Sequence, residues 1–182
     1  FYNKVGALLW DNADDVAKRG GLDLYPNNSA DSLSISGTLN LPASTRFMGS
    51  LVRGLMRQND SFLPYTINTI ANVPELPATS LNGNKDTLAM NYTFNNRAIP
   101  GLKLTARYQS YDYDNNTPSL IFPGYVSTDQ SVSTAPRQSL PYAYNKKTAK
   151  FDVVWDRSKL YSLKVGYDWE RLDRKHRDVE RS

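Results

Sequence analysis

Leu33, Ile35, Gly37, Leu39 and Leu41 alternate with Ser32, Ser34, Ser36, Thr38 and Asn40. A period of two sends successive side chains to opposite faces, so this stretch predicts a strand with one apolar and one polar face. After Pro42-Ala43-Ser44 the pattern restarts at Thr45. There Phe47, Gly49, Leu51 and Leu55 share a face that Arg53 interrupts, and Met48, Val52 and Met56 fall on the other. A second pair follows. Leu88, Met90, Tyr92 and Phe94 alternate with Thr87, Ala89, Asn91, Thr93 and Asn95. Beyond a turn over residues 97–101, punctuated by Pro100-Gly101, Leu102, Leu104, Ala106 and Tyr108 alternate with Lys103, Thr105, Arg107 and Gln109. The third pair is the cleanest. Ala149, Phe151, Val153 and Trp155 alternate with Thr148, Lys150 and Asp152. Across a turn at residues 156–159, Tyr161, Leu163, Val165, Tyr167 and Trp169 alternate with Ser162, Lys164, Gly166, Asp168 and Glu170.

The connections fall into two classes. Within each pair the turn is short, as in a hairpin. Between pairs lie residues 58–84 and 112–144, rich in Pro, Asn, Ser and Thr. Long loops of this kind are unusual inside a compact soluble domain. They are the normal design of an outer-membrane barrel, which has short periplasmic turns and long extracellular loops. Residues 4–10 then end an outgoing strand, and residues 11–31 form another outer loop. The expected fold is all-β: an antiparallel transmembrane β-barrel segment, an up-and-down meander of about seven strands from a larger barrel. Phe94, Trp155 and Tyr161 would flank the short turns, with Tyr108, Tyr167 and Trp169 at the far strand ends, as two interfacial girdles. A soluble β-sandwich with one face on a core gives similar alternation, but not the asymmetry of loops.

Composition narrows the function. No run reaches the length of a membrane helix, and mean hydropathy is -0.57. Alternating strands keep hydropathy modest, so a barrel is compatible with that value. Net charge is +4 and the basic residues form no block, which argues against nucleic acid. There is no cysteine, hence no disulfide, thiolate metal site or covalent haem attachment in this chain. Phe1 is not an initiator Met, residues 1–10 lack a signal-peptide pattern, and the chain stops within a charged stretch. The expectation is one barrel domain over residues 1–182, truncated at both ends.

Candidate chemistry is sparse. Asp112, Asp114 and Asn116 have the spacing that opens a calcium loop. Thr117 and Pro123 occupy the positions that need Gly and Glu, so that pattern fails. Asp11, Asp14 and Asp15 cluster in an outer loop, and the single histidine, His176, has no nucleophile context. No catalytic, cofactor or metal residue is assigned, and no enzyme is expected. Lys103, Thr105, Arg107, Gln109, Lys146, Thr148, Lys150, Asp152 and Lys164 are the expected lumen- or partner-facing residues. Within them Lys103, Arg107, Lys146, Lys150 and Lys164 would make a basic stripe. Arg171, Asp173, Arg174, Lys175, Arg177, Asp178, Glu180 and Arg181 would carry the last strand above the membrane as a salt-bridged rim.

Six segments carry a resemblance. These are Pro42-Ala43-Ser44-Thr45-Arg46, Phe62-Leu63-Pro64-Tyr65-Thr66-Ile67-Asn68, Leu81-Asn82-Gly83-Asn84-Lys85-Asp86-Thr87, Tyr111-Asp112-Tyr113-Asp114-Asn115-Asn116-Thr117-Pro118, Ser139-Leu140-Pro141-Tyr142-Ala143-Tyr144 and Tyr167-Asp168-Trp169-Glu170-Arg171. Each is weak alone. In this order they resemble the MtrB/PioB family of decahaem-associated outer-membrane proteins over nearly the whole chain. The resemblance implies a barrel of more than about twenty strands in the bacterial outer membrane, surrounded by lipid and lipopolysaccharide. It implies that the barrel sheathes a periplasmic decahaem-type c-type cytochrome, often passing electrons to an extracellular multihaem cytochrome. The haem would sit on the partner, with no cofactor in this chain. A diffusion porin for small solutes and a soluble carbohydrate-binding β-domain are the alternative readings.

Overall fold

A computed structural model describes residues 4–10, 20–66, 72–128, 131–158 and 160–175. All regular structure among them is β: β1 (Lys4–Trp10), β2 (Gly20–Leu24), β3 (Ser29–Leu41), β4 (Thr45–Gln58), β5 (Gly83–Asn96), β6 (Leu102–Asn115), β7 (Ile121–Phe122), β8 (Tyr125–Thr128), β9 (Ser131–Ser133), β10 (Arg137–Gln138), β11 (Ala143–Ser158) and β12 (Tyr161–Lys175). The chain divides into two compact units.

The sheet unit holds Asp31–Leu55, Lys85–Asn115 and Tyr142–Ser182. Six strands run in the order β12-β11-β6-β5-β4-β3, which is an unbroken antiparallel meander. The three predicted hairpins are all present. Their strands run longer than the periodicity suggested, up to 16 residues in β11. About 9–11 tilted residues suffice to cross a bilayer, so the strands overshoot it.

The short turns are covalently and sterically defined. Ala43 and Ser44 both take left-handed backbone, at φ 57° and 50°, to close β3 onto β4. Gly101 has φ 77°, and a Cβ placed there would lie 2.5 Å from the Asp156 carbonyl oxygen. Only glycine fits both demands. Neighbouring turns are stitched together: Arg97 N–H donates to the Ser44 carbonyl at 3.1 Å, and Asp156 N–H donates to the Gly101 carbonyl at 2.7 Å. The Asn96 amide adds a bond to Thr45 Oγ1 at 2.6 Å.

The second unit comprises Phe1–Ala30, Met56–Asn84 and Asn116–Pro141. Two expectations change here. Within the expected outer loop at residues 11–31, Gly20–Leu24 is a strand: β2 pairs with β1, with Lys4 opposite Leu24, in a ribbon separate from the six-stranded sheet. The long connections are also folded. β7 pairs with β10 and β8 with β9, Ser61 bridges Ser80, and Phe62 packs edge-on against buried Phe122 at 6.0 Å. Strands of two to four residues are too short for a period of two to be visible in sequence.

Candidate functional site: the two faces of the sheet

Register fixes which residues share a face. In β6, β11 and β12, Thr105 lies opposite Asp152, Arg107 opposite Lys150, and Lys150 opposite Asp168. Gln109 lies opposite Thr148, and Lys103 opposite Val154, which in turn faces Lys164. All nine residues expected to line a lumen therefore lie on one face. β5 adds Asn91, Thr93 and Asn95 to it. β4 joins through Ser50, which accepts from Asn91 at 3.4 Å, and through Gly54, which packs on Thr87.

The basic stripe is only partly free. Lys146 pairs with Glu170 at 3.1 Å, Lys150 with Asp168 at 3.4 Å, and Lys164 with Asp152 at 3.1 Å. Gly166 makes room for the last pair, since a Cβ there would sit 2.9 Å from Asp152 Oδ1. Arg46, Lys103, Arg107 and Arg174 on this face have no carboxylate partner among the described residues, whereas of its carboxylates only Asp156 stands unpaired. At the end of the sheet farthest from the short turns, Tyr111, Tyr113, Tyr142 and Tyr144 stack in a cluster with centroids 5.3–6.1 Å apart. The Lys85 ammonium lies 5.8 Å from the centre of the Tyr113 ring. The alternation does not reveal this cluster, because the outward face turns polar beyond Tyr108 and reads as loop, whereas β6 continues to Asn115.

The opposite face is apolar in four successive rows. These are Leu102/Trp155/Leu163, then Leu104/Val153/Val165 with Asn96 at its β5 end, then Phe94/Ala106/Phe151/Tyr167, then Tyr92/Tyr108/Ala149/Trp169. Phe47 stacks on Tyr92 and Tyr92 on Tyr108, at 5.9 and 6.4 Å. The next row, Met90/Ser110/Lys147/Arg171, is already polar. Leu163, Val165 and Tyr167 are 55–66% exposed, and no second sheet covers them among the described residues of this unit.

The six predicted interfacial aromatics all lie on the apolar face, where Phe94 and Tyr167 share one row of the ladder. Tyr108 and Trp169 are mid-strand, where the apolar band gives way to charge, because β6 and β12 run on past them. Trp155 and Tyr161 do flank a short turn. Asp112 and Asp114 likewise belong to β6, not to a loop, and Asp114 accepts from Lys175 at 2.9 Å. No group of three metal-type side chains occurs among the described residues. The charged rim is present as far as Lys175, with Arg171 held by Asp173 at 2.9 Å. Arg177, Asp178, Glu180 and Arg181, with His176 and the Asp11, Asp14 and Asp15 cluster, lie outside the described residues.

In the loop unit, Phe62, Tyr65, Phe122, Tyr125 and Arg137 help to line a cavity of about 370 Å³. The Arg137 guanidinium stacks 4.0 Å above the Tyr125 ring. The Ser133 hydroxyl, and secondarily the Arg137 charge, hold the Tyr125 phenol below its ordinary pKa, whereas burial raises that of Tyr65.

A single-layer antiparallel meander, apolar on one face and polar on the other, is the design of an outer-membrane β-barrel wall. The chain belongs to the MtrB/PioB family of outer-membrane β-barrel porins, whose profile matches residues 1–182. It is 24% identical over 185 residues to the outer membrane protein MtrB of Shewanella baltica (strain OS185), covering 99% of this chain and 25% of that protein. The chain thus spans about a quarter of that relative's length.

Proposed function

We propose that this chain is part of the wall of an outer-membrane barrel that sheathes a multihaem c-type cytochrome and so supports electron transfer across the membrane. The sheet unit is barrel wall, with its apolar face in lipid and its polar face towards the lumen. The observation that carries the reading is the polar face itself. It combines Arg46, Lys103 and Arg107, which have no carboxylate partner among the described residues, with a packed tyrosine cluster. Unpaired cations steer an acidic protein surface, and tyrosines supply large contact area at little entropy cost, which suits a protein occupant. With no cysteine and one histidine, this chain leaves haem ligation to the partner. The name MtrB of the relative, and the resemblance of the six segments, support the same partner.

The family's description as porins favours a second reading, a diffusion pore for small solutes. Purification of the full-length protein in detergent separates the two. Stoichiometric haem absorbance with the barrel, and loss of extracellular electron delivery on deletion, are the expected results. An empty barrel with large single-channel conductance would sink the sheath and support the pore.

A further inference from the structure

The apolar face is not evenly filled. Ala106 of β6 and Ala149 of β11 sit diagonally between large rings, and they floor a groove of about 350 Å³ walled by Tyr92, Tyr108, Phe151 and Tyr167. The groove leads somewhere definite. Two residues along β11 from Ala149, on the same face, stands Lys147, opposite Ser110 on one side and Arg171 on the other. Arg171 is tied to Asp173, but Lys147 has no carboxylate partner among the described residues. It is half-buried, one row beyond the aromatic border. Of the carboxylates on this face, Asp112 and Asp173 lie one row farther out, and Asp114, held by Lys175, and Asp86 opposite it lie one row beyond them.

An apolar slot leading to a cation without a carboxylate partner among the described residues suits an acyl chain joined to an anionic group such as phosphate. The loop-bearing end of a porin-type barrel faces outwards. We propose that Ala106, Ala149 and Lys147 form a site for a phosphorylated lipid of the outer leaflet, of the lipid A class. One acyl chain lies along the two alanines, and the phosphate bonds to Lys147 and to the exposed edge of the Arg171 guanidinium. A charge-assisted bond to phosphate at a partly desolvated lysine is stronger than a neutral one, so the headgroup supplies selectivity and the groove supplies fit.

The test uses the full-length protein in nanodiscs of phosphatidylcholine, with diphosphoryl lipid A titrated in and retention measured by native mass spectrometry. Lys147→Glu is expected to weaken retention by about tenfold or more, as loss of one charge-assisted contact implies. Lys147→Gln should give a smaller loss in the same direction. Ala149→Leu, which fills the slot, should weaken binding while leaving a headgroup without acyl chains unaffected. The proposal is overturned if all three variants retain lipid A as the wild type does. It is also overturned if dephosphorylated lipid A binds equally, or if inorganic phosphate alone competes fully. Correct assembly of each variant is checked by heat-modifiable migration on gels. A variant that fails that check is replaced by Lys147→Met, which keeps the stem and removes the charge.

Discussion

Several side chains are fixed here by backbone demands that no neighbour can relax. Gly101 is the sharpest case, because a methyl group there meets both a positive φ and the Asp156 carbonyl at 2.5 Å. Gly101→Ala should therefore destabilise the barrel by about 1–3 kcal/mol, read as a lower urea midpoint at unchanged slope. Gly49 is milder: a Cβ would lie 3.2 Å from the Tyr92 ring, which can tilt away. In the loops, Tyr125 offers a titration. Its folded-state pKa lies below the ordinary tyrosine value, through the Ser133 hydrogen bond first and the Arg137 charge second. A depressed acid pKa adds stability only where the tyrosinate forms, fully above the unfolded value and lost as pH falls through the folded one. The titration of Tyr125 should thus add nothing to stability at neutral pH, where the phenol is protonated in both states. Difference absorbance between wild type and Tyr125→Phe should show a phenol titrating earlier than free tyrosine. Arg137→Gln should move it back up, and an unshifted curve would contradict this.

For a whole strand, what matters is which face a side chain occupies. Val165 sits in an apolar row with Leu104 and Val153, while Thr148 sits on the polar face between Gln109 and Glu170. Val165→Arg should cost about 2–4 kcal/mol of folding free energy, as expected for a cation placed in a barrel's lipid-facing band, whereas Thr148→Arg should be nearly neutral. Equal effects in a detergent refolding titration would contradict the assignment of faces. This parity was legible in the sequence, because a period of two survives in any strand with one buried or lipid-facing side. Lys150 and Phe151 were assigned to opposite faces from alternation alone, and the register agrees. Strand ends were not legible. Residues 109–115 keep their alternation but exchange apolar for polar side chains on the outward face, since the strand has left the apolar zone. That is why Tyr113 and Asp114 read as loop, and why the tyrosine cluster went unseen. Ion pairing was equally hidden. Lys146 and Glu170 are diagonal neighbours only because Thr148 lies opposite Glu170, and such register needs the paired strand.

For the whole molecule, the sheet's outermost strands decide what the chain can do alone. β3 and β12 are exposed at every position and pair on one side only. Each presents a row of unpaired backbone N–H and C=O groups, which lipid or detergent cannot satisfy. The apolar face offers no compensation, since it has no partner layer and its Leu33, Ile35 and Leu163 side chains are all more than half exposed. Closing six strands into a small barrel would force β3 against β12. Their polar faces would then crowd the Lys164, Asp168 and Glu170 side chains of β12 inward against those of β3. The 182-residue segment by itself should accordingly fail to refold as a monomer. It should elute from a detergent column as mixed oligomers, and its β3 and β12 amides should exchange fast while those of β6 and β11 are protected. Within the full-length barrel the same β3 and β12 amides should become protected, because strands supplied by the rest of the chain pair with them. A monodisperse segment whose outermost strands are as protected as its central ones would show that the sheet closes on itself, and the larger-barrel reading would fall with it.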